Sequence, residues 1–191
     1  MKDETTGTRP QAQPTNAQPQ PGSGARPGGT PAKWQKPASG TIDGVVVKPL
    51  RVIPDDRGRL MEILRSDDPL FAGFGQAYMT TTYPGVVKAW HMHKAQTDHM
   101  TAVSGMFRLA LFDARDESPT RGTLQEVYMG EHNPVLVVIP PGVYHGWMCI
   151  SEREGMVVNL PDRLYNYTDP DEFRLPHDTP HIPYSWQRRN G

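Results

Sequence analysis

From Ile42 onward the chain is a succession of short runs of β-branched and aromatic residues, each closed within a few residues by Gly, Pro, Asp or Asn. Runs of four to eight such residues at regular spacing restrict a chain to an all-β sandwich or barrel. The strands expected on this basis are 45–52, 59–64, 76–83, 86–93, 98–103, 106–112, 124–129, 135–139, 144–150 and 155–160. The punctuation between them includes Asp55-Asp56-Arg57-Gly58, Pro84-Gly85, Ser104-Gly105, Ser118-Pro119 and Pro140-Pro141-Gly142. The only helical element expected is a single turn over 69–73. Before Ile42 the pattern is absent: the segment is rich in Pro, Gly, Gln and Thr and holds no Val, Leu, Ile or Phe. Such a segment buries too little apolar surface to offset the entropy of ordering. The expected organisation is therefore a disordered tail, residues 1–40, followed by one β domain, residues 41–191.

Charge and cysteine content narrow the partners. The formal net charge of the 191 residues is -1, which supplies no field for nucleic acid or an anionic membrane. No apolar run approaches the roughly 20 residues that cross a bilayer, and the N-terminus lacks the apolar core of a secretory signal. Cys149 is the one cysteine, so no internal disulfide forms. A cytoplasmic location is the expectation, with Cys149 a buried, inert thiol.

The chemistry concentrates in two stretches. Gly85 to Gly105 has the spacing G-x5-H-x-H-x4-D-x6-G, with His91, His93 and Asp98 at the marked positions. Side chains two apart on a strand share a face, so His91 and His93 point together. A turn at 94–97 then lets Asp98 face them. His99 points the other way by the same alternation, outside the site. The second stretch, Pro140-Pro141-Gly142-Val143-Tyr144-His145, is a tight turn feeding a strand that presents one more imidazole. His132, His177 and His181 lie in turn-rich segments and are expected in solvent, whereas Trp90 and Trp147 read as core or dimer contacts.

These stretches resemble the two cupin motifs, with Asp98 where the first has glutamate, and Pro134 and Cys149 where the second has glycine and asparagine. The implied fold is a double-stranded β-helix, or jelly-roll, barrel. A more specific resemblance covers about 53–183. Asp56-Arg57-Gly58 with Glu62, Gln76 with Thr80 and Thr82, and Gly85 to His91 are similar to successive motifs of the dTDP-4-dehydrorhamnose 3,5-epimerases. So are Asp113-Ala114-Arg115, Ser118-Pro119-Thr120 with Gly122, and Ile139 to Trp147.

The resemblance implies a sugar-nucleotide epimerase or isomerase acting on a nucleoside diphosphate 4-keto-6-deoxy sugar. His91 is then the base that removes the acidic proton beside the ketone, a task suited to an imidazole. Lys88 and His145 position the sugar, Arg57 and Glu62 hold the nucleotide, and Gln76 and His93 are further substrate contacts. No cofactor is required, and a homodimer with exchanged N-terminal strands is implied. In this chain the family's enolate-steadying lysine corresponds to Asp98. The strand of its acid tyrosine reads Met156 to Asn159, with Tyr165 and Tyr167 following. The family's base-orienting aspartate falls beyond the Pro180 to Trp186 region.

Two alternatives stand beside this reading. His91 to Lys94 also resembles the H-A-H-K of sugar-nucleotide 3,4-ketoisomerases. Equally, His91, His93, Asp98 and His145 form a sufficient ligand set for a divalent metal (Zn, Mn, Fe or Ni) in a metal-dependent cupin enzyme such as a dioxygenase. A non-catalytic sugar-binding cupin is the remaining class.

Overall fold

The computed structural model describes residues 40–188, so the expected tail lies outside the described residues but for Gly40. Among the described residues there are twelve strands and no helix: β1 (Val46–Pro49), β2 (Val52–Asp55), β3 (Gly58–Met61), β4 (Tyr78–Thr82), β5 (Val87–Met92), β6 (Asp98–Ser104), β7 (Met106–Asp113), β8 (Leu124–Gly130), β9 (Val135–Ile139), β10 (Val143–Cys149), β11 (Gly155–Asn159) and β12 (Phe173–Arg174). Two five-stranded antiparallel sheets form, ordered β1-β9-β6-β11-β4 and β12-β5-β10-β7-β8, with β2 and β3 as a separate hairpin.

Period-two alternation builds the core. Phe107, Leu109 and Leu111 of β7, Val143, Trp147 and Cys149 of β10, Val135, Val137 and Ile139 of β9, and Met100 and Ala102 of β6 point between the sheets. The intervening residues of the second sheet face outward. There Trp90, Ala110, Phe112 and Met148 are covered by Ile182 and Trp186 of the C-terminal segment. Both faces of this sheet are thus covered, so β7 and β10 are buried along almost their whole length and most of their residues are apolar. Cys149, Trp90 and Trp147 are buried.

Three expectations need correction. The strand expected over 45–52 breaks at Leu50, whose side chain packs with Leu136 and Val138 while its N–H donates to the Pro134 carbonyl at 2.9 Å. The chain then leaves the sheet edge as the exposed β2–β3 hairpin, so the expected 59–64 strand ends at Met61. The segment 69–73 is no helical turn. Asp68 closes it as a local turn, its carbonyl accepting from Phe71 N at 2.9 Å and its carboxylate from Leu70 N at 3.0 Å. Two strands go beyond those expected: β2, formed where the chain turns into the hairpin, and β12, which pairs Arg174 with His91 and Phe173 with Met92.

Candidate active site

The interior of the barrel changes from apolar to polar at one end, and His91 and His145 mark the boundary. They are register partners on β5 and β10, so their side chains leave the same face side by side. Their ring centroids lie 4.1 Å apart, edge to face, and Trp147 packs 5.3 Å from His91 on the other side. The two strands come unusually close here because position 146 is glycine. A Cβ there would stand 2.2 Å from the Ala89 Cβ and 2.7 Å from its Cα. At the foot of β10, Gly142 adopts a left-handed φ of 83° and donates to the His93 carbonyl at 2.7 Å. That turn ties the start of β10 to the end of β5.

Opposite these imidazoles, Asp98 opens β6 with its carboxylate fully inside. Oδ1 accepts from Gln96 Nε2 and Asn159 Nδ2, both at 2.8 Å. Oδ2 lies 3.2 Å from His145 Nε2 and 3.5 Å from His93 Nε2. Each of these histidines is held through its other nitrogen. His145 Nδ1 meets the Val143 carbonyl at 3.1 Å, and His93 Nδ1 meets the Asp171 carbonyl. The Asp171 carboxylate accepts three N–H groups of the β5–β6 turn, from Lys94, Ala95 and Gln96. Neither Nε2 makes an in-line bond to Asp98, and that of His145 is buried with no hydrogen-bond partner.

The electrostatics follow from this geometry. Burial disfavours the Asp98 anion, but His145, His93 and Asn159 outweigh it and hold the carboxyl below its ordinary range. Loss of hydration, reinforced by His145, pushes His91 well below 6.5, so its imidazole is neutral at pH 7. The Asp98 carboxylate is therefore not a bare charge, since amides and imidazoles surround it.

The sequence-derived candidates separate into two groups. His91, His93, Asp98 and His145 converge, and the donor atoms of His93, Asp98 and His145 lie within 4.8 Å of one another. The rest stand apart from this cluster. Lys88 directs its ammonium to β4, donating to Thr80 Oγ1 at 2.7 Å and the Thr81 carbonyl at 2.6 Å. Gln76 accepts from Tyr165 N at 3.4 Å. Arg57 is exposed on the hairpin and paired with Asp55, and Glu62 pairs with Arg65 just beyond it. His99 faces away, bonded to the Leu160 and Leu70 carbonyls at 3.1 and 2.8 Å. His132, His177 and His181 are exposed. The Asp113-Ala114-Arg115 and Ser118-Pro119-Thr120 motifs form a clip, in which the buried Asp113 carboxylate collects Arg115, Ser118 and Thr120. Tyr78, which sequence reasoning passed over, sits at the rim with its hydroxyl 2.9 Å from Asn159 Nδ2. The pairing of β4 with β11 that puts it there is not readable from one sequence.

A jelly-roll barrel with histidines and a carboxylate gathered at one end defines a cupin. Within that class, the dTDP-4-dehydrorhamnose 3,5-epimerase family model matches residues 39–190, and the chain belongs to this family. It is 41% identical over 145 residues to the spore coat polysaccharide biosynthesis protein SpsL of Bacillus subtilis, covering 76% of this chain and 96% of that one. It is 42% identical over 147 residues to the probable low-salt glycan biosynthesis epimerase Agl13 of Haloferax volcanii, covering 76% and 94%. Among solved structures, a dTDP sugar isomerase from Desulfovibrio desulfuricans superposes with a TM-score of 0.73 at 34% identity, over 76% of this chain and 92% of that one.

Proposed function

We propose that this protein is a sugar-nucleotide epimerase that acts on a nucleoside diphosphate 4-keto-6-deoxy sugar by removing a proton from the carbon beside the ketone. The observation that carries this reading is the pairing of His91 with His145, their rings 4.1 Å apart inside the barrel of an epimerase-family fold, where loss of hydration pushes the His91 imidazole below its ordinary range. A neutral imidazole accepts the proton, the C–H electron pair passes into an enolate, and a proton then returns to the carbon. Lys88 and His145 position the sugar. Gln76, Arg57 and Glu62 grip the nucleotide, and His93 adds a substrate contact.

The exposed hairpin bearing Arg57 also carries solvent-facing Ile53 and Leu60. Apolar residues on an exposed strand pair favour burial against a second chain, which supports a homodimer in which Arg57 and Glu62 serve the partner's site. A cytoplasmic location fits the unpaired, buried Cys149. With dTDP-4-keto-6-deoxyglucose in heavy water, the protein should exchange the C–H proton beside the ketone for deuterium, followed by NMR. His91→Asn should abolish that exchange. Undiminished exchange in the variant, or none in the unmodified protein, contradicts the assignment.

A second reading concerns a metal. His93 and His145 each anchor Nδ1 on a carbonyl and turn Nε2 toward Asp98, the outer-shell arrangement that orients imidazoles for ligation. The donor set fits Zn, Mn, Fe or Ni, held by His93, Asp98 and His145. Such an ion would polarise a carbonyl oxygen. Elemental analysis tests this: stoichiometric metal lost in His93→Ala supports it, and metal-free active protein excludes it.

A further inference from the structure

An epimerase needs more than a base. Inversion returns the proton to the face of the enolate opposite the one that lost it, so a donor must stand across the sugar from His91. The strand on which the family carries its acid tyrosine offers no phenol here, since β11 reads Gly155-Met156-Val157-Val158-Asn159.

The phenol lies one strand over. Asn159 is the register partner of Tyr78 on β4, and its amide joins the Tyr78 hydroxyl at 2.9 Å to Asp98 at 2.8 Å. Alternation puts Tyr78, Thr80 and Thr82 on the interior face of β4. Thr82 confirms the face by accepting from the buried Trp147 Nε1 at 3.0 Å. Thr80 is bound by Lys88 of β5. From that cross-link the two strands run to the polar end of the barrel, β4 to Tyr78 and β5 to His91. These strands belong to different sheets, so the phenol and the imidazole enter the mouth from opposing walls. Tyr78 is 43% exposed, leaving its ring accessible to a ligand in that mouth.

We propose that Tyr78 is the catalytic acid of this enzyme, delivering a proton to the sugar carbon from the face opposite His91. The proposal rests on His91 being the base. The C–H bond breaks toward His91 and its electron pair enters the enolate. The enolate carbon then takes the Tyr78 hydroxyl proton to form the new C–H bond. The resulting imidazolium loses its proton to water and the phenolate regains one, so the cycle closes without a co-reactant. Burial, then the nearby Asp98 charge, push the Tyr78 phenol up to about 12, which keeps it protonated between turnovers.

The test separates exchange from inversion, using dTDP-4-keto-6-deoxyglucose in heavy water. Tyr78→Phe should lower formation of the inverted sugar by about 10²–10⁴-fold, with His91-dependent deuterium uptake into recovered substrate kept within roughly threefold. Inversion left intact, or exchange and inversion lost in parallel, overturns the assignment. Should the unmodified protein show no exchange at all, the role of His91 falls and this proposal with it. Exchange with full inversion in Tyr78→Phe sinks only the role of Tyr78. Tyr78→fluorotyrosine, which keeps shape and hydrogen bond but ionises at lower pH, should move the alkaline limb of inversion downward and leave exchange in place. An unmoved limb overturns the proposal.

Discussion

Asp98→Ala removes the acceptor shared by two buried amides, Gln96 Nε2 and Asn159 Nδ2, each 2.8 Å from Oδ1. It also removes the anion beside two imidazoles, and Asp98 itself is 1% exposed, so water does not readily replace it. A buried donor left without a partner costs about 1–3 kcal/mol. Two such donors and a small cavity therefore destabilise the barrel by about 3–5 kcal/mol, the range typical of breaking a buried polar cluster. For a domain of this size that lowers the midpoint of thermal unfolding by roughly 6–20 °C. Asp98→Asn is the control. Its side-chain oxygen takes both amide donations and its NH2 fills the place of Oδ2 beside His145 and His93, so its cost stays below about 1.5 kcal/mol. Calorimetry or circular dichroism at pH 7 reads both variants. An alanine variant melting within about 3 °C of the parent, or an asparagine variant as damaged as alanine, refutes the reasoning.

Other consequences are equally direct. Gly146→Ala drives a methyl group into Ala89 and forces β5 from β10. It should cost about 1–3 kcal/mol or more and lower proton exchange by separating His91 from His145; unchanged melting and exchange would count against that contact. Arg57→Ala touches only an exposed pair, so stability should stay within about 0.5 kcal/mol while KM rises and kcat holds, as steady-state kinetics would show. A fall in melting temperature with KM unchanged would contradict the binding role. Below pH 6.5 a histidine in the unfolded chain gains a proton that the half-buried His91, with its depressed pKa, resists. The folded state then binds fewer protons, and stability is lost as the pH falls, by up to about 1.4 kcal/mol per unit. His91→Gln should flatten that slope in urea titrations at pH 5 and 7, and equal slopes would argue against a neutral imidazole at position 91.

What was legible in the sequence is what one strand or one turn determines. The His91–His93 spacing sets a shared face, the Pro140-Pro141-Gly142 turn delivers His145, and alternation alone turned His99 outward. Features that depend on which strands lie side by side were not legible. Tyr78 reads as an ordinary strand residue until β4 pairs with β11 and brings its hydroxyl to Asn159. β12 has two residues, and its place beside His91 depends on Asp171 clasping a distant turn. The break at Leu50 has no mark in the sequence because its neighbours keep β-type composition on both sides, and only packing against Leu136 and Val138 reveals the change of direction.

Nitrogen chemical shifts of the histidine side chains, followed by NMR from pH 5 to 8 and assigned with His91→Asn, measure the state of the base itself. The account predicts that the His91 imidazole is neutral throughout the neutral range and begins to protonate only well below pH 6.5. An imidazolium at position 91 at pH 7 would contradict it, because a group already carrying its proton cannot take one from the sugar.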